Sequence, residues 1–223
     1  LNARVEKRRG SEFNEVTALR WTVYQSAEHP RLETMKGTDN FWDFSVSTYR
    51  QPGVADACLS LQDRFGCDVN VLLYCCWFGC TRGLMNDRTF NEALSFSEPW
   101  ANEVVRPLRA ARTWMKIAGC GSTDVSTEKC MSLRDDIKAA EFKAEHLQQD
   151  TLEILTSTPL SEATDPQTQM VNTACNLRQY LSHYDVRLDG PSLSELAHIV
   201  AATIDSADQK NVITTLETTF QEN

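Results

Sequence analysis

Residues 68–80 read DVNVLLYCCWFGC, and Val71 to Cys80 is the longest apolar run of the chain. Wound as a helix, this stretch is apolar nearly all round, which a water-facing helix cannot be, so it predicts the centre of a core. Asp68 ahead of it is a good N-cap, because its carboxylate can accept from the orphan amides of the first turn. Gly79 and Gly83 mark its end and the turn beyond. The run is far short of the roughly 18–20 residues that a membrane span requires.

Working outward, the signals stay helical. Phe41, Phe44 and Tyr49 place aromatics on a short first helix that stops before Gln51-Pro52-Gly53. Pro52 suits the first turn of a second helix, carrying Ala55, Cys58, Leu59 and Leu61 inward and closing at Phe65-Gly66. On the other side, Thr89 to Glu92 has capping-box spacing and predicts a short helix to about Phe96. Ser97, with Pro99 soon after, starts another that runs to about Ile117. Pro107 inside it removes an amide and crowds the preceding turn, which predicts a kink.

After the Gly119–Thr123 loop, Ser126 or Thr127 caps a long helix. Its Leu133, Ile137, Ala140, Ala144, Leu147, Thr151 and Ile154 step alternately by four and three, as a seam against neighbouring helices does. Pro159–Pro166 reads as a loop. Met170, Ala174, Leu177, Leu181 and Tyr184 mark the next helix. Leu193, Leu196, Ala197, Val200 and Ile204 mark another after Asp189-Gly190-Pro191, and Val212, Leu216 and Phe220 the last. No strand alternation and no internal repeat appears. The expected fold is all-α: a single globular bundle of about seven or eight helices with a kinked helix at Pro107.

The 223 residues suffice for one good-sized domain. A formal charge of -9 argues against nucleic acid as a partner, since phosphate repulsion calls for a basic face. Eight cysteines, two of them adjacent (Cys75-Cys76) and several within helical runs, read as buried free thiols in a reducing, cytoplasmic compartment. No CxxC pair points to zinc or an iron–sulfur cluster. Residues 1–34 differ from the rest, with a net charge of +1 (six basic, five acidic) and no sustained period. They read as a non-native or flexible extension ahead of a start at Met35, leaving 35–223 as the helical domain.

Two constellations could carry function. Arg106, Arg109, Arg112 and Lys116 share one helix face about 120° wide, apart from the apolar face of Val104, Leu108, Ala111 and Met115. Such a stripe could meet a phosphate, a carboxylate or an acidic segment, or simply pair internally with the chain's own Asp and Glu. Trp42, Asp43, Gln62, Asp63, Asp68 and Asn70 form a second group, beside the apolar helix. They read either as caps and buried hydrogen bonds or as a ligand pocket floored by that helix. Glu195-x-x-His198 has the spacing of a di-iron helix, but no second such pair exists, so no metal and no cofactor is expected. There is no phosphate-binding glycine loop, GxSxG elbow, HExxH or dinucleotide fingerprint.

The segments FWDFSVSTYRQPGVADACLSLQDRFGCDVNVLLYCCWFG (41–79) and EPWANEVVRPLRAARTWMK (98–116) resemble an uncharacterised family of small proteobacterial helical proteins of unknown function. The pattern rests on Trp42, Asp43, Phe44, Pro52, Gly53, Val54, Cys58, Leu61, Gln62, Asp63, Gly66, Asp68, Asn70, Arg106, Pro107, Leu108, Arg109 and Arg112. It makes 35–118 the family-like half and 119–223 a variable half. The resemblance implies a bacterial cytosolic protein and brings no catalytic residue.

Two functional expectations follow. The first is a non-enzymatic helical protein that binds a protein partner or small anion through Arg106, Arg109 and Arg112, with Trp100 or Trp114 as apolar anchor. The second is an enzyme or carrier for a small anionic metabolite, with a pocket between the first helices and the Arg106 helix. Neither expects nucleic acid or a membrane as partner.

Overall fold

The structure, a computed structural model, describes residues 40–118, 127–156, 165–205 and 207–221. The expectations for residues 1–34 and Met35, the Gly119–Thr123 loop, the Ser126 cap and most of the Pro159–Pro166 loop lie outside these residues. The described helices are α1 (Phe41–Tyr49), α2 (Val54–Phe65), α3 (Val69–Thr81), α4 (Asp87–Trp100), α5 (Arg106–Ala118), α6 (Thr127–Leu155), α7 (Pro166–His183), α8 (Gly190–Thr203) and α9 (Gln209–Gln221). No strand occurs among the described residues, so the all-α expectation stands.

Around Pro107 the structure departs from the sequence reading. The segments expected as two helices are one, because a π-helical stretch, Ala101–Val105, joins α4 to α5 without a break. Its cap is Asn86, whose side chain accepts from the Thr89 amide, rather than Thr89 itself. Pro99 lies inside α4 instead of opening a helix. The wide turns fall just before Pro107, where the proline ring crowds the carbonyl four residues back and its nitrogen has no hydrogen to give. A π turn is the local way to absorb that conflict. Pro52 also moves out of its helix: α2 starts at Val54, and Gly53 before it takes a left-handed φ of 80°.

The described helices group into two compact units, α1–α3 with α7–α9, and α4–α6. This grouping follows packing and so cuts differently from the halves 35–118 and 119–223, which followed resemblance. In the first unit α3 is the centre, buried without interruption from Asn70 to Gly79. It packs most extensively on α7, while α8 lies on α2 and α9 on both α7 and α8. Gly79 makes the α3–α7 contact possible: a Cβ there would sit 2.6 Å from the Cα and backbone nitrogen of Thr173. Phe41, Tyr74 and Trp77 cluster across α1 and α3 in edge-on and tilted contacts, with ring centroids 5.4–5.8 Å apart.

The second unit is α4, the π stretch and α5 laid against α6. Here the expected seam is overturned. Of its seven residues only Ala144 is buried, and Leu133, Ala140, Leu147 and Ile154 are exposed. The buried face of α6 is instead Arg134, Glu141, Phe142, Ala144, Gln148, Gln149 and Leu152. The reason is on α5, whose arginines draw the carboxylate side of α6 inward.

The thiols of Cys58, Cys67, Cys75 and Cys76 are free and buried. Burial pushes Cys58 up to about 12, and holds Cys75 and Cys76 well above the usual thiol range. They act as packing groups, since thiolate chemistry needs the opposite shift. Cys130 is disulfide-bonded, so the reading of every thiol as reduced does not extend to it. No helix among the described residues is long and apolar enough to cross a membrane.

Candidate functional site

The C-terminal end of α3 supplies the most distinctive polar group of the first unit. The amides of Arg82 and Gly83 both donate to the Phe78 carbonyl, at 2.7 and 2.9 Å, and Gly83 takes a φ of 95°. Glycine is the residue that adopts this left-handed turn without a Cβ penalty. The turn is clamped from α7 by Asn176, whose amide nitrogen donates to the carbonyls of Gly83 (3.1 Å) and Cys75 (3.4 Å). Its oxygen accepts from the Met85 amide at 2.9 Å.

The clamp sets the Arg82 guanidinium over the Trp77 ring, 5.2 Å from its centroid. Such cation–π contacts hold the charge in a fixed place and leave its N–H edge available. Trp77 is wholly excluded from solvent. Among the described residues, Arg82 Nε and Trp77 Nε1 are buried donors with no acceptor, and Arg82 has no carboxylate partner. Ser45 Oγ is buried and unmet as well, one turn along α1 from Phe41, whose ring is 5.4 Å from Trp77. Buried polar groups almost always find partners, and leaving one unmet costs about 1–3 kcal/mol.

The residues singled out from sequence fall into simpler roles. Asp43 belongs to the start of α1: its amide donates to Asn40 Oδ1 at 2.7 Å and its carboxylate accepts from Asn40 Nδ2 at 2.8 Å. Asp68 caps α3 by accepting from the Asn70 amide at 2.8 Å, and its own amide donates to Tyr180 Oη at 2.8 Å. Burial, then the nearby Asp68 and Cys67, push the Tyr180 hydroxyl far above its usual range. Asn70 is buried, Trp42 and Gln62 are half-buried, and Asp63 is exposed on α2. Of this group the structure joins Asp68 with Asn70 through the cap.

In the second unit, Arg109 donates from Nε to Glu141 (3.0 Å) and from Nη2 to Glu145 (2.7 Å). Arg112 donates from Nε to Glu141 at 2.5 Å. Glu141 is fully buried and Arg112 nearly so, at 0 % and 6 % exposure. Burial alone would lower the Arg109 pKa, but Glu145 and Glu141 outweigh it and hold the guanidinium above its ordinary value. Arg106 donates to Asn102 one turn back.

Glu195 and His198 are likewise structural. Glu195 accepts from Ser60 Oγ at 2.8 Å, and His198 Nε2 lies 2.7 Å from the Pro52 carbonyl. Among the described residues, no group of three or more His, Cys, Asp or Glu side chains gathers as a metal would require.

Residues 40–152 match the family model DUF2390, a protein of unknown function. The chain belongs to this family. The DUF2390 match runs from just before α1 to near the end of α6, and so extends beyond the two segments that carry the sequence resemblance. It takes in Arg82, Trp77, Ser45, Arg109, Arg112 and Glu141, while α7, which packs on α3 and clamps the Arg82 turn, lies outside it. No curated protein and no solved structure matches the chain.

Sequence reasoning passed over Arg82 and Trp77 as a pair, because Trp77 sits in the most apolar run and reads as core. Their spacing of five residues across a helix end was the available signal. Glu141 and Glu145 could have been found from their i, i+4 spacing opposite an Arg109, Arg112 pair.

Proposed function

We propose that this protein binds a small oxyanion, a carboxylate or phosphate group, through Arg82, with Trp77 Nε1 and Ser45 Oγ as further polar contacts. The observation that carries the reading is the Arg82 guanidinium held over the Trp77 ring while Arg82 Nε and Trp77 Nε1 are buried without an acceptor among the described residues. An oxyanion supplies acceptors to both donors and a charge to the arginine, and charge-assisted bonds of this type are the strong ones. The reading shifts the anion from the basic helix to α3, because Arg109 and Arg112 already answer Glu141 and Glu145. It is a binding function without a chemical step.

The test is calorimetry and thermal unfolding with inorganic phosphate, acetate and small phosphomonoesters. A ligand at a hundredfold excess over its Kd stabilises by about 2.7 kcal/mol. Arg82→Gln should abolish that shift with helical circular dichroism unchanged. Trp77→Phe, which keeps an aromatic face but loses the indole N–H with part of the ring, should weaken binding by about 1 kcal/mol. A flat response of the natural chain to every anion, or binding that survives Arg82→Gln, overturns the proposal.

A further inference from the structure

The face of α6 turned away from its own unit is patterned, not merely exposed. Leu133, Ala140, Leu147 and Ile154 recur every seven residues, and the three large ones are 54 %, 49 % and 82 % exposed. Single exposed apolar residues need no explanation, but a heptad row along one helix is the pattern by which helices pair. Beside it runs a second heptad row, Lys129, Asp136, Lys143 and Asp150, exposed throughout and alternating in sign.

That alternation chooses the occupant. We infer that α6 pairs with α6 of a second copy, antiparallel, about a two-fold axis between Ala139 and Ala140. With that axis Asp136 meets Lys143 of the second copy, and Lys129 meets its Asp150. The two-fold repeats both pairs, so every charge of the row faces its opposite. A parallel, in-register pairing would instead bring each heptad charge toward Arg134, Glu141 and Gln148, which α6 buries within its own unit. The small, exposed Ala139 and Ala140 at the axis let the helices approach closely where they cross. The interface is isologous, the same patch on both copies, as closed dimers require. Because α6 is 29 residues long, about 43 Å, the row offers several turns on each side of the axis.

The pairing is tested on the full chain by sedimentation at several protein and salt concentrations. A dimer that loosens with salt is expected. Leu147→Glu places a charge on the exposed row and should leave a monomer with unchanged helical content. Asp136→Lys and Lys143→Asp should each shift the equilibrium toward monomer, and the double variant should restore the dimer, because both partners of each pair are exchanged together. A natural chain that stays monomeric at the highest concentration overturns the inference, as does a dimer indifferent to Leu147→Glu. Failure of the double variant to recover overturns the antiparallel register.

Discussion

Trp77 and Glu141 are both shut away from solvent, yet they sit in interiors of opposite character. Around Trp77 the first unit is filled by Phe41, Leu61, Leu72, Leu73, Tyr74 and Phe78, and its cohesion is removal of apolar surface from water. Around Glu141 the second unit brings Arg109, Arg112 and Glu145 together between α5 and α6. Its buried residues also include Arg134, Gln148 and Gln149, set beside apolar Phe90, Leu94, Phe142 and Leu152. An apolar interior tolerates change in proportion to the volume lost. A buried ionic one tolerates little, since removing one member strands the others, while replacing the pair by apolar groups can be neutral. The difference teaches which unit is specified by shape and which by partner choice.

The largest expected effect lies in the ionic interior. Glu141→Ala should cost about 3–5 kcal/mol in urea unfolding, because Arg112 is left buried without a counter-charge. Combining Arg112→Met with Glu141→Leu should recover most of that loss, since Arg109 keeps Glu145. A single variant as mild as a surface change, or a double variant no better than the single, would break the contrast.

Next comes the tight apolar contact. Gly79→Ala should destabilise by about 1–3 kcal/mol, because the added carbon meets the Thr173 backbone as well as its hydroxyl, and the backbone cannot turn aside. Gly66→Ala is the control: nothing lies within 4 Å of its Cβ position, and only its φ of 69° resists, at about 1 kcal/mol. Equal losses at the two glycines would show that close packing is not what α3 and α7 require.

The smallest effect is a surface counterpart to the buried cluster. Asp189 caps α8, and the hydroxyl and amide of Ser192, then Arg64, lower its pKa from 3.8 to about 2. A carboxyl whose pKa is depressed on folding adds stability above its unfolded pKa and loses it as pH falls through the folded one. Asp189→Asn should therefore match the natural chain below about pH 2 and be less stable above about pH 4, in acid unfolding followed by circular dichroism. Curves that stay parallel over that window would remove the cap and the Arg64 contact from the account.

Much of this was legible locally. The α3 core, its Asp68 cap and the apolar rows of α7, α8 and α9 follow from residues a few places apart. The α6 seam was misread for a physical reason: a four-three row of apolar residues does not say which neighbour it faces. Charged residues on α5 turned the other side of α6 inward, and no local rule weighs that competition. The candidate site was missed because Trp77 and Arg82 come together only where α3 ends and Asn176, nearly a hundred residues away, holds the turn.

By itself the sequence determined an all-helical protein, its helix boundaries to within a few residues except around Pro107, and a centre at α3. Those properties depend on periodicity, capping and chain stiffness, which act over one or two turns. Only the tertiary structure decided which face of α6 is buried, that the basic stripe pairs with Glu141 and Glu145, and that Arg82 rests on Trp77. The first two depend on groups far apart in the chain competing for the same partner, and the third on Asn176 of α7 holding the turn after α3, and both are resolved only when the helices pack.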